Sequence, residues 1–309
     1  MNACMEWLVE RLIMKKILVI GANGMLGVEL LQILGEQFQC LGSDIADFDI
    51  TDCDCTIRAI KKINPQVVIN VAAFTFVDLC EQEKERAFAV NGEGAKHVAR
   101  GCREVGAKCI YLSTDYVFDG KKSTPYVEDD LPKPVSVYGQ SKLQGEKYVQ
   151  EILDNFLIIR SSWLFGKGGS NFVKTVVHLS REREALEMVN DQRGSPTYTK
   201  DLSRAISTLI AEDLKGIFHV SNSGSCTWFE FAEKILDLIG SSLGRIPISS
   251  AQCGRPAERP PFSVLSCEKL KNITGIIMPR WDDALSRFVE TIDVDYIAPR
   301  KSVTNNYEL

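Results

Sequence analysis

Through the first half of the chain, short apolar runs of strand length alternate with longer stretches in which apolar positions recur every three or four residues. Residues 17–20 form such a run and are followed by a glycine-rich turn, after which 25–34 has helical periodicity. A second run covers 38–42. Residues 56–63 read as a helix stopped before Pro65, 67–71 as a buried strand, 83–105 as one long helix and 109–112 as a further strand. Continuous β-branched runs have no polar face, so both faces of their sheet must be covered. This is the signature of a parallel sheet flanked by helices. The pattern predicts an α/β class with a doubly wound sheet over 15–160.

Beyond residue 160 the pattern loosens. A strand at 156–160 is followed by glycines at 166–169, a helix over 171–183 and an apolar run at 186–190. Helical periodicity returns at 201–210 and a strand-like run at 216–220. Residues 228–239 read as a helix with Thr227 as its N-cap, since a threonine hydroxyl can accept from the N–H groups that a first turn leaves unpaired. Gly, Pro, Ser and Arg dominate 241–262, which reads as loop. Residues 161–290 form a smaller α/β domain that binds substrate, with some segments returning to the first sheet. Residues 1–14 and 291–309 are expected to be appendages, the former a short amphipathic stretch, the latter polar and frayed.

Composition narrows the partners. The 309 residues carry a formal net charge of −5, the wrong sign for nucleic acid or an anionic membrane surface. No apolar run reaches the roughly 18 residues that span a bilayer, and 1–13 lacks the form of a signal peptide. Of ten cysteines only Cys53 and Cys55 lie close together. A single C-x-C pair is not a zinc site, and scattered thiols fit a reduced, cytoplasmic setting. No resident metal is expected.

Gly21-Ala-Asn23-Gly24-Met25-Leu26-Gly27 is G-x-x-G-x-x-G, placed straight after a strand and opening a helix. Glycines there let the backbone turn tightly and approach a pyrophosphate, whose charge meets the helix N-terminus. The first domain is therefore expected to be a Rossmann-type dinucleotide-binding domain. Asp44, 23 residues after Gly21, stands where an acid takes the adenosine ribose hydroxyls and repels a 2′-phosphate. The cofactor is NADH or NADPH, with NADH modestly favoured. Asp49 and Ile50 are expected along the adenine, with Ala72, Ala73 and Phe74 beside the pyrophosphate and ribose.

Tyr138 and Lys142 form Y-x-x-x-K, and the i, i+4 spacing puts both side chains on one helix face. A lysine there can lower the phenol pKa and hold the nicotinamide ribose, while the tyrosine exchanges a proton with a carbonyl oxygen. Thr114, in Ser113-Thr114-Asp115, follows the strand at 109–112 and can hydrogen-bond the same oxygen.

Tyr111-Leu-Ser-Thr-Asp-Tyr-Val-Phe118, Val137-Tyr-Gly-Gln-Ser-Lys-Leu-Gln-Gly-Glu146, Arg160-Ser-Ser-Trp163 and Asn190-Asp-Gln-Arg-Gly-Ser-Pro-Thr197 resemble the dTDP-4-dehydrorhamnose reductase family of extended short-chain dehydrogenases. The resemblance runs from about Lys15 to Phe288. It implies reduction of the 4-keto group of a dTDP-linked 6-deoxy sugar, giving dTDP-L-rhamnose, with Thr114, Tyr138 and Lys142 catalytic. It further implies that Asp115 and Trp163 contact the sugar and that Thr75 and Val77 line the entrance. The substrate's diphosphate needs donors, and Arg259, in the proline-stiffened 255–261, is the candidate, since a guanidinium fork suits phosphate. Arg193 is a second.

Two positions depart from the family. Phe74 stands where histidine is common, which leaves only its backbone for the cofactor. Some members hold Mg2+ between subunits with glutamates. Glu29 matches one of these, but Lys200 occupies another, so Mg2+ is doubtful, and the chain is expected to be a monomer or a homodimer. The same fold also resembles the regulatory subunit of methionine adenosyltransferase, a non-catalytic dinucleotide binder. A reductase of another nucleotide-linked 4-keto sugar is a further alternative. The complete Thr114, Tyr138 and Lys142 set favours an enzyme.

Overall fold

A computed structural model describes residues 14–292. The expectations for 1–13 and for the tail beyond 292 fall outside the described residues. Strands β1 (Lys16–Ile20), β2 (Gln39–Ser43), β3 (Val67–Asn70), β4 (Lys108–Thr114) and β5 (Phe156–Ser161) lie in one sheet with β7 (Gly216–His219). The order is β7-β5-β4-β3-β1-β2 and every pairing is parallel. The chain leaves β1 in one direction to form β2 and then crosses to the other side for β3. The β1–β3 boundary is thus the switch point at whose carboxyl end a crevice must open.

Burial follows the two-residue period of the strands. Ile17 and Val19 pack to one side with Val67, Ile69, Leu157 and Ile159, beneath helices α1 (Met25–Leu34) and α8 (Thr199–Ala211). Leu18 and Ile20 pack to the other with Val68, Tyr111 and Ile158, under α2 (Cys53–Ile63), α5 (Gly94–Val105) and α6 (Val137–Ile152). A separate core gathers Phe165, Val176, Leu186, Phe231, Ile235, Leu285 and Phe288. Its elements are α7 (Phe172–Leu179), β6 (Ala185–Val189), α9 (Trp228–Leu238) and α12 (Trp281–Val289). Thr227 caps α9 through a reciprocal pair with Glu230.

Two stretches differ from the sequence reading. The long helix expected over 83–105 is broken into α4 (Lys84–Phe88), a π-helical turn (Ala89–Glu93) and α5, and a short α3 (Val77–Gln82) precedes it. The wide turn brings the side chain of Asn91 into the interior, where it bonds Phe74 and Ser141. Such turns concentrate at functional positions. The presumed loop over 241–262 contains β8 (Gly244–Ile248), paired in parallel with β6, and α10 (Ser250–Cys253). Most of β8 is solvent-exposed, so no apolar run announces it.

One buried ion pair locks the sheet to α6. Arg160 on β5 donates through Nε and Nη2 to Glu146 on α6 at 2.9 and 2.7 Å, and both side chains are almost wholly buried. Ser113 on β4 donates to the same carboxylate. His219 on β7 accepts from Arg160 and donates through Nδ1 to the Tyr126 carbonyl. Burial first, then the nearby Arg160 charge, pushes that imidazole down to about 3, so it stays neutral. Glu146→Ala would leave a guanidinium buried without its partner, which costs roughly 3–5 kcal/mol. Urea unfolding followed by circular dichroism checks this, and a loss below about 1 kcal/mol, the size of a surface pair, would show that the pair does not hold the fold.

Candidate active site

The carboxyl ends of β1, β3, β4 and β5 open onto a cleft of about 1150 Å3. Ligand clefts run to roughly 300–1,000 Å3, so this one is large. Its floor is the glycine turn. Gly21 has φ +87, and a Cβ there would lie 2.7 Å from the Ala72 nitrogen. A Cβ on Gly27 would lie 2.2 Å from the Gly21 carbonyl, so α1 can seat against β1 only without one. No side chain caps α1 and its first turn holds no acid. Its leading N–H groups are therefore available to an anion. Gly21, Asn23, Gly24, Met25, Leu26 and Gly27 all line the cleft.

Asp44, at the end of β2, accepts from the backbone N–H of Asn23 and of Ile45, both at 2.8 Å, and lines the same wall. Asp49, Ile50, Ala72 and Ala73 line it too. Phe74 does not. Its ring is buried with Cys80, Ala87 and Val137, and its N–H and carbonyl are both taken by Asn91. Both backbone groups of Phe74 thus have partners within the fold, and Cys80 also donates to its carbonyl. Asn91 is a residue that the sequence reading missed.

The catalytic candidates Thr114, Asp115, Tyr138 and Lys142 all line the same cleft. Thr114 ends β4 and Asp115 opens a short 3-10 turn, where the threonine hydroxyl donates to Asp115 Oδ1 at 3.1 Å and accepts from the Tyr116 N–H. Ser136 caps α6 and so delivers Tyr138 in its first turn beside Thr114. Burial pushes the phenol well above its ordinary value, which keeps it a proton donor. Lys142, one turn on, donates to the Leu112 carbonyl at 2.6 Å and sits over the Tyr111 ring. Burial brings its amine down to about 7, against the pull of Glu146. Burial governs both groups and drives them in opposite directions.

Asp115 is also buried, and desolvation raises its carboxyl to about 7 although Ser263 and Thr114 lie near enough to temper the shift. No well-formed hydrogen bond reaches its Oδ2. An acid kept neutral in the lower pH range can share or donate a proton there.

Thr75, Val77 and Trp163 also line the cleft. Trp163 holds a positive φ of 47, uncommon for a bulky residue and a form of strain found at functional positions. Its ring stacks on Trp228 at 3.6 Å, and a Cβ on Gly194 would press into it. Packing and cleft lining thus coexist in one side chain. Arg259 reaches the cleft, but its guanidinium fork is occupied by Asp78. Arg193 pairs with Glu230 and is not among the lining residues.

Residues 14–294 match the family model described as RmlD substrate binding domain. The chain belongs to the RmlD family. It is 41% identical to the dTDP-4-dehydrorhamnose reductase of Streptomyces griseus, over 87% of this chain and 91% of that one. It is 40% identical to the spore coat polysaccharide biosynthesis protein SpsK of Bacillus subtilis, over 90% and 98%. The crystal structure of a dTDP-4-dehydrorhamnose reductase from Bacillus anthracis, in complex with NADP, superposes with a TM-score of 0.88 at 41% identity, covering 90% of this chain and all of that one. The family expected from the sequence motifs and the family model agree.

In this RmlD-family chain Glu29 is buried on α1, and among the described residues no group of three or more His, Cys, Asp or Glu side chains could hold a metal ion. Nor, among them, is any helix long and apolar enough to cross a membrane. The nine cysteines of the described residues are free thiols.

The raised carboxyl has a measurable consequence. The folded state holds the Asp115 proton up to about pH 7, whereas an unfolded aspartate releases it near pH 4. Stability contributed by this group is therefore full below about pH 4 and lost as pH rises towards 7. Asp115→Asn should flatten the fall in thermal midpoint between pH 4.5 and 7.5, and an unchanged slope would place the ionised carboxylate in a polar site.

Proposed function

We propose that the chain is an oxidoreductase that reduces the 4-keto group of dTDP-4-dehydro-6-deoxy-L-mannose to give dTDP-L-rhamnose, using NADH or NADPH. The observation that carries this reading is the convergence of Thr114, Asp115, Tyr138 and Lys142 on one cleft whose floor is the glycine turn. A non-catalytic dinucleotide binder has no use for a tyrosine hydroxyl set beside Thr114 in that cleft. The family relatives named as reductases point the same way.

The residues fit a nicotinamide dinucleotide. The uncapped α1 N-terminus would receive its pyrophosphate, Asp44 would face the adenosine ribose, and Lys142 would hold the nicotinamide ribose. When bound, the dinucleotide supplies the hydride. Tyr138, kept protonated by burial, donates its proton to the developing alkoxide at the sugar oxygen. Thr114 hydrogen-bonds that oxygen and polarises the carbonyl. Lys142, whose amine burial brings down to about 7, stands one helical turn from Tyr138. Asp115 and Trp163 orient the sugar ring, Thr75 and Val77 border its entrance, and Arg259 meets the diphosphate. The Asp44 carboxylate already accepts two backbone N–H groups, so its repulsion of a 2′-phosphate is softened and the preference for NADH is modest. The chain works as a soluble cytoplasmic enzyme, monomer or homodimer.

The test is oxidation of NADH and of NADPH, followed at 340 nm, against dTDP- and UDP-linked 4-keto sugars. The dTDP-linked 6-deoxy sugar should turn over fastest. Tyr138→Phe should lower kcat by about two orders of magnitude, as loss of a general acid does, with NADH affinity nearly intact. Near-normal turnover in that variant would remove the tyrosine from the mechanism.

A further inference from the structure

One buried carboxylate has no part in the proton and hydride chemistry. Asp78, the second residue of α3, is 8% exposed. Arg259 grips it with both ends of its fork, Nη1 to Oδ1 and Nη2 to Oδ2, each at 2.7 Å. Arg255 donates to Oδ2 at 3.0 Å, and the Ala257 N–H to Oδ1 at 3.1 Å. Burial alone would raise this carboxyl, but the guanidiniums and the backbone bond outweigh it and hold it at about 2. It is charged at any working pH.

All three partners come from one segment far along the chain, and that segment is stiff. Pro256, Pro260 and Pro261 restrict it, and the Pro261 carbonyl is fixed by the Arg193 N–H. Arg255, Ala257 and Arg259 line the cleft, whereas Asp78 is not among the lining residues. Arg255 and Arg259 bring two guanidiniums to that wall, beside the carboxylates of Asp78 and of Glu258, which also lines the cleft. Bidentate and backbone bonds together leave the segment little freedom to turn the arginines elsewhere.

We propose that Asp78 is a positioning residue, which sets the guanidiniums of Arg255 and Arg259 as a preformed receptor for the diphosphate of a nucleoside-diphosphate substrate. The proposal rests on the reading of the cleft as a sugar-nucleotide site. Preorganisation lowers the cost of ordering long side chains when the ligand arrives. Removing the carboxylate has a second, opposite effect, because it deletes a negative charge close to an anion. Ordering outweighs charge here, since two flexible arginines and their segment share the same anchor. One turn further along α3, Glu81 accepts from the Val137 N–H, the residue before Tyr138. The catalytic helix thus keeps its own tie when Asp78 is changed, and the loss falls on substrate binding.

The test uses the full chain with thymidine diphosphate as the probe, titrated calorimetrically beside NADH. Asp78→Asn should weaken thymidine diphosphate about tenfold or more, raise the KM for the sugar nucleotide similarly, and leave kcat and NADH affinity within about twofold. Asp78→Glu, which keeps the charge, should recover most of the loss. Arg255→Gln, at a more exposed position, should also weaken thymidine diphosphate several-fold and serves if Asp78→Asn does not fold. Binding of thymidine diphosphate by Asp78→Asn as tight as, or tighter than, the parent chain would overturn the proposal, making Asp78 a mere counter-charge. Equal binding by Arg255→Gln would overturn it too. Failure of the parent chain to bind thymidine diphosphate while binding NADH would instead overturn the sugar-nucleotide reading, and this proposal with it.

Discussion

The cleft depends on the buried pair between Glu146 and Arg160. A carboxylate and a guanidinium withdrawn from water cost several kcal/mol each unless geometry and further hydrogen bonds compensate. Here they do, through the bidentate contact, the Ser113 hydroxyl and neutral His219. Glu146 lies four residues after Lys142 and eight after Tyr138, hence on the same face of the helix. Fixing Glu146 to the sheet fixes that whole face at the carboxyl ends of β4 and β5. Close backbone approach completes the fit, since a Cβ on Gly145 would meet the Tyr111 hydroxyl at 2.4 Å.

From that constraint the chemistry of the cleft follows. The same burial that protects the ion pair desolvates Tyr138, Lys142 and Asp115. It raises the phenol and the carboxyl and lowers the amine, so each group is pushed towards its neutral form. A neutral tyrosine suits reduction, where a proton must be given to an oxygen that is gaining charge. Asn91 extends the scaffold by bonding Ser141 on α6 and the backbone of Phe74. The segment that carries Thr75 and the start of α3 is thereby held to the catalytic helix.

Much of this was legible in the sequence. The strands of the main sheet announce themselves because burial on both faces demands unbroken apolar runs, and the glycine turn because only glycine fits beside Ala72. The π-helical turn was hidden, since 83–105 keeps helical periodicity and a single asparagine does not mark a widened turn. Strand β8 was hidden for the opposite reason, being too exposed to need apolar residues. Phe74 read as a cofactor neighbour from its place after β3, yet the demands of Asn91 on its backbone and of Cys80 and Val137 on its ring were long-range. So was the grip of Asp78 on Arg255 and Arg259, which join positions nearly two hundred residues apart only once the second half folds back.

The central claim is that this cleft passes a hydride to the C4 carbonyl of a nucleotide-linked 6-deoxy sugar while Tyr138 gives the proton. Nicotinamide dinucleotide labelled with deuterium at C4, incubated with the chain and dTDP-4-dehydrorhamnose, tests it directly when the product sugar is read by proton NMR. The expected result is deuterium at sugar C4 in one configuration only, with loss of the corresponding proton signal. Label that stays on the dinucleotide, with the sugar bound but unchanged, would contradict it.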